Sequence, residues 1–258
     1  MAERDPETTE RIQEVRDDIF GPDGYLPVLV LLLASVVCGL LLGDSRVGLV
    51  VSVATTAGAL FITVHRSTDE RRLQLGCAIF CTLIVVLVAV NPRFSDDELQ
   101  RIGRLALVGY VVIVAASLPL VLARALRHKR VTLNTLCATV SAYLLLGMLF
   151  AGIFRLYGAI SPPFFAQHPS AEECQAPHVP AGCPSPAQFT YFSFITMATV
   201  GYGDLTPGSD PARAFVTLEA ITGQVFVITA LARVVSLLGE DRPGLNRTTK
   251  PSEDTPAD

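Results

Sequence analysis

The run Thr196–Asp204, TMATVGYGD, combines hydroxyl, small and glycine residues in a pattern that suits cation binding by the backbone. A dehydrated cation is stable only where oxygens replace its water shell at similar distances. Backbone carbonyls can supply those oxygens if successive C=O groups point at one axis, and this requires some residues with φ > 0. Gly201 and Gly203 can adopt such values because they have no Cβ. The run therefore predicts a row of carbonyl oxygens along one axis.

The same run resembles the filter signature of the potassium channel family, Thr-x-x-Thr-Val-Gly-Tyr-Gly-Asp. The resemblance implies a K⁺-selective filter made of Thr199, Val200, Gly201, Tyr202 and Gly203. It implies that the carbonyls of the first four residues and the hydroxyl of Thr199 are the K⁺ ligands. Thr196 and Asp204 would support the filter, with Asp204 at the external mouth. The side chains of Val200 and Tyr202 would point away from the ions, into the protein.

The residues before this run predict a short helix. Ser185 followed by Pro186 is the pattern of an N-cap and a first-turn proline, which predicts a pore helix from about 186 to 197. The partial negative charge at its C-terminal end would favour a nearby cation. Tyr191 and Phe192 occupy the places where many relatives have an aromatic pair that packs as a cuff around the filter. The alternative is a pair of aromatics facing lipid.

The residues after the run predict a last helix that begins at an Asp210-Pro211 cap. Gly223 follows Gly203 by twenty residues, the spacing of the inner-helix hinge glycine in simple potassium channels, so it is a candidate gating hinge. A glycine that only permits close helix packing is the alternative. One stripe of this helix could line the cavity, formed by Gln224, Val227, Leu231 and Val235.

Two ionisable residues in the last helix, Glu219 and Arg233, would be costly in lipid and are therefore expected to face protein or water. Glu219 lies about one turn before Gly223 and is expected to pack behind the filter. Arg233 would lie near the inner mouth, where it could contact lipid headgroups or gate the pore. The sequence leaves the choice between these roles open.

Composition places these elements in a membrane. Half of the 258 residues are hydrophobic and 17% are charged, whereas soluble domains average about 25% charged residues. The mean hydropathy is +0.46. The net charge of −4 offers no basic surplus for nucleic acid. Soluble, collagen-like, disordered and secreted disulfide-rich classes are all excluded by this composition.

Long apolar blocks predict six membrane-crossing helices, since a crossing needs about 20 apolar residues. The first five contain no acidic or basic residue: Tyr25–Leu42, Val47–Val64, Leu73–Val90, Leu105–Ala123 and Val131–Phe154. The sixth, Ala212–Leu238, contains Arg213, Glu219 and Arg233. Phe189–Val200 is too short to cross and is predicted to be re-entrant. The predicted fold is an all-α membrane protein with the pore helix and filter between helices five and six.

The predicted domains follow from these blocks. Residues 1–24 form a cytoplasmic segment, 25–130 a four-helix transmembrane domain, 131–239 the pore domain, and 240–258 a disordered cytoplasmic tail. The resemblance is specific over residues 185–239. Over the four-helix domain it rests on the number of spans alone.

Loop charges predict the orientation of the chain. Basic residues dominate the loops after the second and fourth spans: Arg66, Arg71, Arg72, Arg124, Arg127, Lys129 and Arg130. Both termini are therefore expected in the cytoplasm and the loop 158–186 outside, in a multi-pass protein of the plasma membrane. Arg124, Arg127 and Arg130 recur every third position, as in voltage sensors, but they follow nineteen uncharged residues. They are interpreted as an orientation-setting loop, and little voltage dependence is expected.

The six cysteines divide into two groups. Four lie in apolar spans and are interpreted as core thiols: Cys38, Cys77, Cys81 and Cys137. Cys174 and Cys183 lie in the predicted external loop, where oxidation is possible, and a disulfide between them is the leading hypothesis. The alternative is a metal site with His168 or His178.

Together these features predict a potassium-selective channel with no enzymatic chemistry and no organic cofactor. Each chain supplies one filter strand and a closed ring of carbonyls needs four, so a homotetramer surrounded by membrane lipid is expected. Three alternatives stay open at this stage: a non-selective cation channel, a potassium transporter subunit, and a non-conducting sensor or regulatory subunit. The single filter run argues against the transporter, and the intact Tyr-Gly-Asp argues against the non-selective channel. The gating stimulus is not predicted.

Overall fold

The computed structural model describes residues 24–42, 46–67, 97–127, 133–160, 163–167 and 183–240. It also describes Gly76, Ile79, Thr82, Leu83 and Val86, all in helical conformation. The continuous stretches form six helices: α1 (Leu26–Leu42), α2 (Arg46–Ser67), α3 (Asp97–Arg127), α4 (Leu133–Ile160), α5 (Pro186–Met197) and α6 (Asp210–Glu240). Among the described residues, the only β-type pairing is an isolated antiparallel bridge between Phe165 and Pro207. The predicted all-helical class is confirmed.

Three of the helices are long and apolar enough to cross a membrane: Gly103–Ala123, Asn134–Ile160 and Asp210–Arg233. The helices Leu26–Leu42 and Val50–Thr63 are apolar but shorter. The predicted third span, Leu73–Val90, lies largely outside the described residues. The chain is therefore a helical membrane protein, while the number of six crossings stays a prediction.

Four helices, α2, α3, α4 and α6, extend past their predicted spans, and α3 and α4 extend furthest. The α3 helix begins at Asp97 rather than Leu105, and α4 continues to Ile160, beyond the predicted end at Phe154. Hydropathy locates only the part of a helix that suits lipid. A helix satisfies its own backbone hydrogen bonds on either side of that part, so charged residues such as Arg155 do not end it.

The α1 and α2 helices are joined by hydroxyl groups. The Ser35 hydroxyl oxygen lies 2.6 Å from Thr56 Oγ1 and 2.8 Å from the carbonyl oxygen of Ser52. Ser35 and Thr56 are both buried, so these bonds satisfy polar groups that would otherwise be costly inside the bundle. The small residue Gly39 faces the Ser52 hydroxyl and lets the two helices approach closely.

The α4 helix lies at the centre of the chain. It contacts α1, α3, α5 and α6, and 61% of its spanning window is buried, compared with 22% for α3 and 11% for α6. One buried apolar cluster joins α4 to the first helices through Leu32, Val114, Leu145 and neighbouring residues. At the N-terminal end of α1, the backbone N–H of Tyr25 donates to Asn134 Oδ1 at 2.5 Å. The difference in burial leaves α6 as the least covered spanning helix.

A second cluster, made largely of aromatic rings, holds α5 against the C-terminal half of α4. Its buried rings are Phe150, Phe154, Phe164, Phe165, Phe189 and Phe192. The ring centroids of Phe154 and Phe164 are 4.8 Å apart, and Phe164 meets Phe165 edge-on at 5.0 Å. Such offset and edge-to-face contacts add about 0.5–1.5 kcal/mol per pair to the burial itself. The cluster therefore fixes where α5 begins relative to α4.

Candidate functional site

The α5 helix begins with a complete capping box. The Ser185 hydroxyl accepts from the backbone N–H of Gln188 at 3.4 Å, and Gln188 Oε1 accepts from the backbone N–H of Ser185 at 2.8 Å. Pro186 occupies the first turn, where its missing N–H costs nothing. The helix spans Pro186–Met197, so the predicted bounds of the pore helix are confirmed.

The filter run leaves the end of α5 through hydrogen bonds to the helix carbonyls. Ile195 O accepts from the N–H of Val200 at 2.9 Å and of Gly201 at 3.3 Å, and Thr196 O accepts from the N–H of Thr199 at 3.0 Å. The N–H groups of Thr199, Val200 and Gly201 are thus directed back toward α5. None of the carbonyls of residues 199–203 accepts a hydrogen bond from another described residue. A set of backbone oxygens is left available to a ligand.

The backbone of the run alternates in the sign of φ. The angle is +58° at Thr199, +49° at Gly201 and +81° at Gly203, and it is negative at Val200 and Tyr202 between them. The positive values predicted for the two glycines are confirmed. Positive φ at Thr199 was not predicted, because the left-handed region costs an L-residue roughly 1–2 kcal/mol. This alternation is the one that a row of carbonyls along a single axis requires.

Two side chains of the run are exposed in the single chain. Val200 is 49% exposed and Tyr202 is 72% exposed, so the expectation that they point into the protein stays a prediction.

The two aromatic candidates on α5 have different surroundings. Phe192 is 4% exposed and meets Phe154 and Phe165 in the aromatic cluster, so the alternative of a lipid-facing ring is wrong for this residue. Tyr191 is partly exposed and lies near Asp204. Desolvation raises the pKa of Tyr191, and the negative charge of Asp204 raises it further. Tyr191 therefore stays neutral beside the carboxylate.

The loop after the filter is tied to the segment that follows α4. Ala166 N–H donates to the Thr206 carbonyl at 2.9 Å, and Gly208 N–H donates to the Phe164 carbonyl at 2.8 Å. A Cβ at Gly208 would lie 3.0 Å from the backbone nitrogen of Ala166, so this approach favours glycine. The Tyr157 hydroxyl lies 3.1 Å from Ser209 Oγ. The exit of the filter is therefore held by the end of α4.

The start of α6 differs from the prediction by one residue. The hydroxyl of Ser209 accepts from the backbone N–H of Ala212 at 3.4 Å, so Ser209 acts as the cap, and Asp210 is the first helical residue. The Asp210 carboxylate instead pairs with Arg213 at 3.0 Å in an exposed ion pair. An acid in the first turn is still favoured by the helix dipole, which explains why the sequence pattern resembled a cap.

Three helices meet at one buried hydroxyl. Ser193 on α5 hydrogen-bonds with Glu219 Oε1 on α6, and its Oγ lies 2.8 Å from the Gly147 carbonyl oxygen on α4. Ser193 and Glu219 are both fully buried, so the prediction that Glu219 faces protein is confirmed. The partners Ser193 and Gly147 were not found from the sequence, because a serine in a helix and a glycine in a span carry no signal of their own.

Gly223 packs against the end of α5. A Cβ at this position would meet Met197 Cγ at 3.2 Å, and α6 continues through it without interruption. These contacts favour the packing interpretation, and a hinge at Gly223 stays a prediction. The predicted cavity stripe is open in the single chain: Val227, Leu231 and Val235 are exposed and Gln224 is partly exposed. Arg233 is partly buried.

Cys183 is disulfide-bonded, which agrees with one half of the predicted bridge. Cys174, together with His168 and His178 of the alternative metal site, lies outside the described residues. Cys38 and Cys137 in α1 and α4 are free thiols, as predicted.

Comparison with known proteins matches this region to a family. Residues 180–240, which contain α5, the filter run and all of α6, match the family described as Ion channel. The chain is 32% identical over 80 residues to "Potassium channel K1" of Plasmodium berghei, covering 31% of this chain and 4% of that protein. It is 40% identical over 55 residues to "Two pore potassium channel b" of Oryza sativa subsp. japonica, covering 21% and 16% respectively.

A third relative is "Voltage-gated potassium channel Kch" of Escherichia coli, 38% identical over 65 residues, which are 25% of this chain and 15% of that protein. The matched segments thus span only between 4% and 16% of the length of these relatives. The similarity concerns these segments and says nothing of the relatives' remaining domains.

Proposed function

We propose that this chain is one subunit of a potassium-selective channel, because residues 180–240 match the family described as Ion channel and parts of the chain are similar to potassium channels. The observation that carries the proposal is the filter run at the end of α5. Its φ values alternate in sign, and the N–H groups of Thr199, Val200 and Gly201 donate to α5 carbonyls. The carbonyls of residues 199–203 are free among the described residues. Such a strand can exchange the water shell of a cation for protein oxygens.

The K⁺ ligands in this proposal are the carbonyls of Thr199, Val200, Gly201 and Tyr202, with the Thr199 hydroxyl. Gly203 completes the strand, and Thr196 and Asp204 support its two ends. Conduction consists of ion exchange between adjacent sites, driven by the electrochemical gradient, and no covalent chemistry takes part. Tyr191 lies near the Asp204 carboxylate at the mouth, while Phe192 supports α5 from behind.

A homotetramer follows from the number of filter strands, because one chain contributes one strand and a closed ring of oxygens needs four. The uncovered surface of α6 supports this assembly. Six of its large apolar side chains are between 54% and 63% exposed: Leu218, Ile221, Val225, Ile228, Leu231 and Val235. In the proposed tetramer part of this surface contacts neighbouring subunits. The stripe of Gln224, Val227, Leu231 and Val235 lines the cavity.

The proposed topology has six crossings, with α5 re-entering the membrane from the outside between α4 and α6. Both termini lie in the cytoplasm, and the protein resides in the plasma membrane. A helix of twelve residues such as α5 reaches only about 18 Å at 1.5 Å per residue. That length is enough to enter the hydrocarbon core but not to cross it.

The nearest alternative is a non-selective cation channel. The intact Tyr202-Gly203-Asp204 and the positive φ of Gly203 argue for selectivity, because they complete the carbonyl row at its outer end. A non-conducting subunit is the other alternative, and only a flux measurement separates it from a channel.

The test is a flux assay with purified protein in lipid vesicles. Opposing gradients of potassium, rubidium, sodium and lithium are applied in separate runs. Potassium and rubidium should pass, whereas sodium and lithium should not. Equal fluxes of sodium and potassium would establish the non-selective alternative, and the absence of any flux would establish the non-conducting one. Chemical cross-linking of the same sample should give a limiting species of four chains.

A further inference from the structure

Glu219 is a fully buried acid. Among the described residues it forms no ion pair, and its Oε2 has no hydrogen-bond partner. The helices packed against α6 are α4 and α5. The titratable group of α4 that feels the charge of Glu219 is the Tyr143 hydroxyl, and α5 presents Ser193, which does not titrate. On α6 itself, Arg213 is occupied by Asp210 at the exposed end.

The single hydroxyl hydrogen of Ser193 indicates whether Glu219 is protonated or ionised. The Ser193 oxygen lies within hydrogen-bond distance of both Glu219 Oε1 and the Gly147 carbonyl oxygen. A serine hydroxyl has one hydrogen, and a carbonyl and a carboxylate can only accept. With an ionised Glu219, one of the two contacts would therefore place two oxygens together without a hydrogen. With a protonated Glu219, the acid donates to Ser193, Ser193 donates to Gly147, and both contacts are satisfied.

Burial favours the same state. An ionised carboxylate loses its water shell on entering the protein, and a neutral hydroxyl does not replace the missing charge. The position in a membrane-spanning helix adds to this cost. A protonated carboxyl avoids this desolvation cost and can still donate a hydrogen bond.

We propose that Glu219 carries a proton in the folded pore and is a positioning residue for the filter. Its carboxyl O–H donates to Ser193 Oγ, and the Ser193 hydroxyl donates to the Gly147 carbonyl. This chain of two bonds fixes α5 to α6 on one side and to α4 on the other. Ser193 lies two residues before Ile195, whose carbonyl holds the N–H groups of Val200 and Gly201. A shift of Ser193 would therefore move the base of the filter.

The functional part of this inference rests on the proposed channel activity, whereas the protonation state does not. Infrared spectra of the detergent-solubilised protein at neutral pH test the protonation state directly. The wild type should show a carboxylic-acid C=O band that shifts in D₂O and is lost in Glu219→Gln. If this band is missing from the wild type, or if Glu219→Gln retains it, Glu219 is ionised and the proposal is overturned.

Potassium flux tests the positioning role with the same variants. The amide of Glu219→Gln can donate to Ser193 as the protonated acid does, so this variant should keep wild-type flux and selectivity. Glu219→Ala and Ser193→Ala should each lose about tenfold in flux, the size expected when a buried partner is left unsatisfied. Matched controls are Asp210→Ala, an exposed acid of the same helix, and Thr190→Ala, whose hydroxyl bonds only to its own helix. Both controls should behave as wild type.

The outcomes separate the two proposals. Loss of flux in Glu219→Gln equal to that in Glu219→Ala would mean that the charge, rather than the hydrogen bond, is needed, and would overturn the inference. If the wild type itself carries no potassium, the proposed function fails. The inference is then judged by the infrared band and by thermal unfolding, in which Glu219→Gln should melt close to wild type and above Glu219→Ala. If the alanine variants fold poorly, the inference is likewise decided by the infrared band and by thermal unfolding of Glu219→Gln.

Discussion

Gly147 lies directly against the ring of Phe194. A Cβ built on Gly147 would be 2.7 Å from Phe194 Cε1 and 2.8 Å from Cζ, closer than side-chain carbons approach one another. The carbonyl of the same residue accepts from Ser193. The contact between α4 and α5 thus depends on a position where the side chain is a single hydrogen.

We expect Gly147→Ala to destabilise the pore region. The added methyl group has to displace the Phe194 ring or push α5 away from α4, and overpacking of this kind costs about 1–3 kcal/mol. The measurement is thermal unfolding of the purified protein. Gly58→Ala is the matched control, because a Cβ at Gly58 has no atom within 4 Å and alanine is the better helix former. Equal melting of the two variants would contradict the prediction.

We expect Gly203→Ala to lose potassium selectivity or flux. Gly203 has φ +81°, and an alanine there would pay roughly 1–2 kcal/mol or change its backbone angle. A changed angle turns the carbonyl of the neighbouring residue off the common axis. The measurement is the potassium-to-sodium flux ratio in vesicles, with Gly58→Ala again as the control. Unchanged selectivity in the Gly203 variant would show that the strand does not need positive φ at this position.

We expect Cys183 to be paired with Cys174. Peptide mapping without reduction should recover one cross-linked peptide that contains both, while Cys38 and Cys137 react with a thiol reagent after unfolding. In the loop-entropy account, closure of so short a loop adds about 2–3 kcal/mol. A different partner for Cys183, or a free Cys174 in the folded and oxidised protein, would refute the assignment.

We expect weak voltage dependence. The spanning part of α3, Gly103–Ala123, has a basic residue only at its edge, Arg104, and none among residues 105–123. Steep gating requires charge that moves through the field, worth about 2.3 kcal/mol per charge per 100 mV. Open probability measured in planar bilayers between about −100 and +100 mV should therefore change gradually. A curve equivalent to several elementary charges would contradict this prediction.

Local signals predicted the local structure well. The bounds of α5 followed from Ser185 and Pro186, because a cap is made by residues that are neighbours in sequence. The positive φ values at Gly201 and Gly203 followed from the residue type. Thr199 did not, since its positive φ arises where the run turns back to donate to α5 carbonyls.

Contacts between helices could not be predicted in the same way. The sequence indicated that Glu219 must avoid lipid, but its partner Ser193 is 26 positions away and Gly147 is 46 positions from Ser193. Such pairs depend on how whole helices are placed.

The filter strand is connected to α4 at both of its ends. Below it, Ser193 bonds to Gly147, and above it Tyr157 and the segment 163–167 hold the exit loop. The same helix, α4, therefore supports both ends of the strand. If the bilayer thins or thickens and α4 changes its tilt, both supports move together, and the strand is carried along without being stretched.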